Sequence, residues 1–155
     1  MNDAASTSLA GVLKSEDILV NLRTETLRDA VSQLLAKPLA RAGLSSESVT
    51  AAVETVMKRE ADGTTCIPPV ALPHGRTRDV THVVAGLGIK AAGVVGERPE
   101  MKIILAFVSP LDASSLHLRF LSEAARVLRQ ESVVGGLLKA RDAAEVLAII
   151  RAGDR

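Results

Sequence analysis

The sequence predicts an α/β fold, a mixed β-sheet flanked by helices in a single-domain sandwich. Three features carry that prediction. Two apolar runs of strand length, Val83 to Ile89 and Ile103 to Val108 (IILAFV), lie in the middle and second half of the chain. The second run is apolar without interruption, the pattern of a strand buried on both faces. Segments with helical spacing come before and after these runs, an order that packs helices on a sheet. The chain has 155 residues, 47% of them hydrophobic, which suffices for one domain whose core needs neither disulfide nor metal.

Taken in order, residues 1–12 are mostly small and polar and are expected to be a flexible N-terminus, with the folded domain over 13–155. Asp17 to Leu22 (DILVNL) is expected to be a first strand. Thr24 offers an N-cap, and Leu27, Ala30, Val31, Leu34 and Leu35 follow at helical spacing. Pro38 predicts a break or kink before Gly43 ends the segment. Ser45 and Ser46 are candidate caps of a second helix with Val49, Ala52, Val53, Val56 and Met57 on one face. Asp62 to Pro69 reads as loop, and Val70-Ala71-Leu72 as a short strand stopped by Pro73. His82 stands at the mouth of the next strand, and Lys90 to Met101 is a glycine-containing connection. Ser114 and Ser115 are candidate caps of a third helix with Leu118, Leu121, Ala125 and Leu128 as its apolar face. Ser132 to Ala140 is a helix weakened by Gly135 and Gly136. Asp142 with Glu145 starts a last helix, Ala143 to Ile150. No internal repeat or linker points to a second domain.

Composition excludes several function classes. Phe107 and Phe120 are the only aromatic residues among Phe, Tyr and Trp, too few for the stacking platforms that hold single-stranded nucleic acid. The net charge is +1 with no long basic run, so neither nucleic acid nor a membrane surface is an expected partner. No apolar run approaches the ~20 residues of a membrane helix, and Met1 to Val12 lacks the basic start of a secretory signal. A cytoplasmic location is expected. Cys66 is the single cysteine and reads as a small buried residue. The three histidines, His74, His82 and His117, have no ligand spacing, so no metal and no cofactor are expected.

The segment Ala71-Leu72-Pro73-His74-Gly75-Arg76 carries the chemistry. The proline stops a strand and a small glycine follows the histidine, so His74 is expected at a strand end open to close approach by a partner protein. Neutral imidazole is nucleophilic near pH 7. It can take up a phosphoryl group and release it, and nearby cations and N–H donors stabilise the oxygens in transit. On the residues alone, a Pro-His at a strand end is more often structural than catalytic. Arg76 and Arg78 read equally as a docking face for an acidic partner or as a solvated loop, and His82 as exposed or structural.

Arg59-Glu60, Thr64, and Val70 to Gly75 together resemble the phosphorylation-site pattern of the fructose/mannitol-type IIA domains of the bacterial phosphotransferase system, which include the nitrogen-regulatory IIA protein. The similarity continues through Phe107-Val108-Ser109-Pro110, His117-Leu118 and Leu121 to Leu128, covering about residues 13 to 151. The resemblance implies that His74 is the phosphoacceptor, that Arg59 is the arginine beside it and that His117 is the second active-site histidine. Thr64 and Gly75 match supporting positions. It implies an HPr-like phosphohistidine carrier protein as donor, with a separate IIB subunit or a regulatory target as recipient. Three functions stay open: phosphocarrier, phosphorylation-dependent regulatory switch, and a IIA-like binding module that is not phosphorylated. One departure stands out. The family's loop before the strand is rich in glycine, whereas this chain has Thr65-Cys66-Ile67-Pro68-Pro69, in which two prolines remove two N–H donors.

Overall fold

The computed structural model describes residues 7–94 and 100–155. Parts of two expected segments, residues 1–6 of the N-terminus and 95–99 of the Lys90–Met101 connection, lie outside them. The chain runs α1 (Leu9–Val12), a 3-10 turn (Ser15–Asp17), β1 (Ile18–Leu19), α2 (Leu27–Arg41), α3 (Ser46–Ala61), β2 (Cys66–Ile67), β3 (Val70–Ala71) and β4 (His74–Thr77). It continues through β5 (Val84–Ile89), β6 (Ile103–Pro110), α4 (Ser114–Leu128), α5 (Glu131–Lys139) and α6 (Ala143–Gly153).

β6 is the axis of a mixed sheet. β5 runs antiparallel along one side, with Val84 opposite Val108 and Ile89 opposite Ile103. β3 and β4 run parallel along the other side, with Val70 opposite Ile103 and His74 opposite Phe107. Both strands keep the same offset from β6, so they form one line interrupted at Leu72-Pro73. Pro73 has no N–H for the ladder, yet its carbonyl still accepts from Phe107 N at 3.1 Å. All eight residues of β6 are buried. Alternation sends Ile103, Leu105 and Phe107 into the core under α1, α4, α5 and α6, and Ile104, Ala106 and Val108 into the core under α2 and α3. The result is helices on both faces of a mixed sheet, as expected.

Several elements differ from the expectations. Leu9 is fully buried in α1, so packing extends into the stretch expected to be flexible. The first strand shrinks to Ile18–Leu19, because Asp17 is drawn into the 3-10 turn, where its buried carboxylate meets Arg41 at the end of α2. Thr26 rather than Thr24 caps α2, accepting from Asp29 N at 3.1 Å. Cys66–Ile67, expected as loop, pairs with Val70–Ala71 around a two-residue Pro68-Pro69 turn.

Pro38 lies inside α2, which continues to Arg41. The proline cannot bond to the Leu34 carbonyl one turn back. That carbonyl instead approaches Gly86 of β5 so closely that a Cβ there would lie 2.1 Å from its oxygen. The buried residues Leu34, Leu35, Pro38 and Leu39 hold the helix on the sheet on both sides of the proline, and this packing overrides the local cost. Gly135 is the opposite case. It is in the interior of α5 with nothing within 4 Å of an added Cβ. Gly135→Ala is therefore expected to raise stability by about 0.5–1 kcal/mol, read as a higher urea midpoint at unchanged slope.

The buried stripe of α4 is His117, Phe120, Ala124, Val127 and Leu128. Leu118, expected on the apolar face, is 63% exposed. The stripe is thus rotated by about one residue from the expected one, which turns His117 inward.

Candidate functional site

His74 opens β4 on the sheet face that carries Val70 and Leu72, beneath α4. Its ring stacks on Phe107 at 5.0 Å between centroids with 12° between planes. The tilted ring of His117 lies 5.2 Å away. Phe107 in turn packs edge-on against Phe120 at 4.8 Å, so an aromatic column ties the site to the core. His74 is 5% exposed, which corrects the expectation of a nucleophile standing open at a strand end. The line of β3 continues past Pro73, and α4 closes over the ring.

His74 Nδ1 is 2.8 Å from the Leu72 carbonyl oxygen. A carbonyl only accepts, so Nδ1 carries the proton and Nε2 of the neutral ring holds the free lone pair. Burial pushes the His74 pKa below its ordinary value, the Leu72 bond opposes this, and the Arg59 charge adds to the lowering. His117 falls to about 4, first by burial, then because its charged form would be repelled by a charged His74 ring and by Arg76 and Arg59. Both rings are therefore neutral at pH 7. Because folding depresses these bases, the unfolded chain binds more protons below its own histidine pKa of about 6.5. Stability is thus fully present above that pH. It is expected to fall by about 2 kcal/mol as pH drops from ~6.5 to ~4. Urea midpoints measured across that window check it, and His117→Asn should show a shallower decline.

The His117 backbone N–H bonds to Ala113 O at 3.1 Å in the first turn of α4, and its Nδ1 contacts the hydroxyl of Ser109, which is fully buried on β6. No side chain caps α4 at Ala113, so the first amides of the helix that carries His117 keep their donors and the positive end of its dipole. Arg76, two residues along from His74 on the same face, donates from Nη2 to the Leu111 carbonyl and, at 2.9 Å, to Ser114 Oγ. That bond ties Ser114, an expected cap, to β4 instead.

Arg59 sits in the last turn of α3 and donates to Gly63 O at 2.7 Å and to Thr65 Oγ1 at 3.1 Å. The Pro68-Pro69 turn folds Thr65 back so that its carbonyl accepts from Leu72 N at 2.9 Å. One continuous chain of contacts then runs from Arg59 through Thr65 and Leu72 to the His74 ring. The two prolines occupy the turn of the hairpin that carries this link. Thr64, the expected hydroxyl, is exposed and lines a cleft with Thr26, Leu27 and Arg28 instead. Gly75 faces α3, where an added Cβ would lie 3.2 Å from Val56 Cγ2. It serves helix packing on the far face of the sheet.

The structure therefore brings His74, His117 and Arg59 together and leaves Thr64 outside. Thr65 and Ser109 were missed as contributors. Ser109 is legible only once the register is known, two residues beyond Phe107 on the same face. His82 is exposed and touches Thr81. Among the described residues, no cluster of His, Cys, Asp and Glu could hold a metal ion, and no helix is long and apolar enough to cross a membrane. What remains is a neutral imidazole with one free nitrogen, among cations and N–H donors, which is suited to holding an anionic group in covalent linkage.

Comparison with known proteins gives the family and the fold. A nitrogen regulatory protein of Klebsiella oxytoca is 28% identical over 159 aligned positions, covering 97% of this chain and 94% of that protein. The crystal structure of nitrogen regulatory protein IIA-Ntr from Neisseria meningitidis superposes with a TM-score of 0.80 at 24% identity, covering 92% of this chain and 98% of that one. The fold is also that of the mannitol enzyme IIA of Escherichia coli in its complex with phosphorylated enzyme IIB. That match has a TM-score of 0.68 at 20% identity and covers 90% and 97% of the two chains. Residues 11–153 match the family model described as phosphoenolpyruvate-dependent sugar phosphotransferase system, EIIA 2, and with nearly the whole chain inside that match, this protein belongs to the EIIA 2 family.

Proposed function

We propose that this protein is a phosphocarrier in which His74 Nε2 receives a phosphoryl group from a phosphohistidine carrier protein. It then passes the group to a IIB-type partner or holds it as a regulatory signal. The observation that carries this reading is the bond from His74 Nδ1 to the Leu72 carbonyl, which leaves Nε2 as the nucleophilic nitrogen of a buried neutral ring. In the transfer, the Nε2 lone pair forms a bond to phosphorus as the donor's own phosphorus–nitrogen bond breaks, and the donor imidazole keeps that electron pair. Arg59, the α4 amides and His117 then share the negative charge of the phosphoryl oxygens. We take Leu111 and Leu118, 40% and 63% exposed and on either side of His117 in the chain, as an apolar rim for the partner to cover.

The regulatory branch has its own support in the nitrogen regulatory relative. Charge added at His74 would change what this rim can bind. The IIB branch draws on the mannitol enzyme IIA complex with phosphorylated IIB. The non-phosphorylated alternative is motivated by the two prolines; these sit at the turn between β2 and β3, and Arg59 still bonds Thr65.

The test is incubation with phosphoenolpyruvate, enzyme I and a phosphohistidine carrier protein. An acid-labile adduct mapped to His74 is expected. Its absence with several carrier proteins would refute the phosphocarrier reading. Because folding lowers the His74 pKa, the rate of uptake should hold its plateau below pH 6.5 before falling. A midpoint at or above the ordinary histidine value would contradict the buried neutral nucleophile.

A further inference from the structure

Ser109 lies opposite Arg76 in the pairing of β6 with β4. Strand alternation puts it on the same face as Phe107, under α4, and it is 0% exposed. Among the described residues its hydroxyl has a single hydrogen-bond partner, Nδ1 of His117. Two proton arrangements can make that bond. If Nδ1–H donates to Oγ, the hydroxyl hydrogen has no acceptor, in a place water does not reach. A buried donor left unpaired costs about 1–3 kcal/mol. If Oγ–H donates to Nδ1 instead, both groups are satisfied and the ring proton sits on Nε2.

From this asymmetry we propose that Ser109 is a positioning residue. Its hydroxyl locks His117 in the Nε2–H tautomer, so that the ring offers an N–H donor, not a lone pair, to a phosphoryl group on His74. The consequence for transfer rests on the phosphocarrier reading, whereas the tautomer does not.

The lock matters because His117 is neutral. An imidazolium would donate from both nitrogens and need no choice of tautomer, but burial and the neighbouring cations keep this ring uncharged at pH 7. With Nδ1 turned to Ser109, Nε2 is the ring's remaining polar atom, in a ring whose centroid is 5.2 Å from that of His74. A lone pair there would repel phosphoryl oxygens, whereas an N–H attracts them. Arg59 and Arg76 add charge but no control over the tautomer.

Nitrogen-15 NMR of the protein with labelled histidine reads which nitrogen of His117 is protonated. Wild type is expected to show Nε2–H, and Ser109→Ala a mixed or reversed tautomer. Phosphoryl uptake by His74 in Ser109→Ala is expected to fall about ten- to a hundredfold, with no further loss when it is added to His117→Ala. Ser109→Cys, a weaker donor of similar shape, should lie between, and it carries the test if the alanine variant does not fold. Retention of Nε2–H in Ser109→Ala, or a wild-type uptake rate, would overturn the proposal. If wild-type protein takes up no phosphoryl group, the phosphocarrier reading fails, and the tautomer spectra still decide the role of Ser109.

Discussion

His74→Gln is expected to acquire no phosphoryl group from a phosphohistidine donor, a loss of at least about 10³-fold, as removal of a nucleophile gives in other covalent mechanisms. The neighbouring histidine is no substitute. His117 has a pKa of about 4, so its ring is a weak base and a poor nucleophile, and its Nδ1 is engaged by Ser109. Intact-mass analysis of wild type and variant after incubation with phosphoenolpyruvate, enzyme I and carrier protein checks this. A residual adduct on His117 in the variant would show that the two rings are interchangeable, against the asymmetry described above. Arg59→Ala is expected to keep the acceptor but slow uptake by about 10²–10³-fold, the usual effect of removing one group that stabilises transferring charge. Loss of fold is not the reason, since the Arg59 side chain lies at an exposed helix end.

The largest effect on stability is expected from Gly86→Ala, which should cost 3 kcal/mol or more, about the upper range for overpacking. An added Cβ would lie 2.1 Å from the Leu34 oxygen and 2.9 Å from its carbonyl carbon. Both are backbone atoms, so no side-chain rotation relieves the clash. α2 would have to lift off β5 and lose the burial of Leu34, Leu35 and Leu39. Urea unfolding against wild type measures the cost. A loss under 1 kcal/mol would mean that α2 slides freely on the sheet. Phosphoryl uptake by the folded fraction should survive, because Gly86 faces α2 and His74 lies on the opposite face of the sheet.

Much of the architecture was legible from local pattern. Ile103 to Val108 read as a doubly buried strand because no polar residue interrupts it, and β6 is fully buried. Ser45 as a cap, the α3 face and the Asp142 cap of the last helix were visible because capping depends on residues three apart. Where two apolar stripes fit the same helical period, pattern failed. In α4 the stripe containing Leu118 and the one containing His117 both have helical spacing, and reading histidine as polar favoured the wrong one. The same limit hid Pro38, whose helix-breaking tendency is local while the packing that overrides it belongs to β5.

Local pattern was enough for the fold class, for singling out the Pro73-His74-Gly75 segment and, through resemblance, for naming His74, His117 and Arg59 as candidates. Those depend on residue type and near spacing, which a linear chain displays. Folding alone buries His74, holds its Nδ1 on Leu72, brings Thr65 rather than Thr64 to Arg59 and sets Ser109 behind His117. Each of these is a contact set by strand register, helix rotation or a turn that folds the chain back. Long-range packing chooses among local alternatives of similar energy, and nothing in the neighbouring residues distinguishes them.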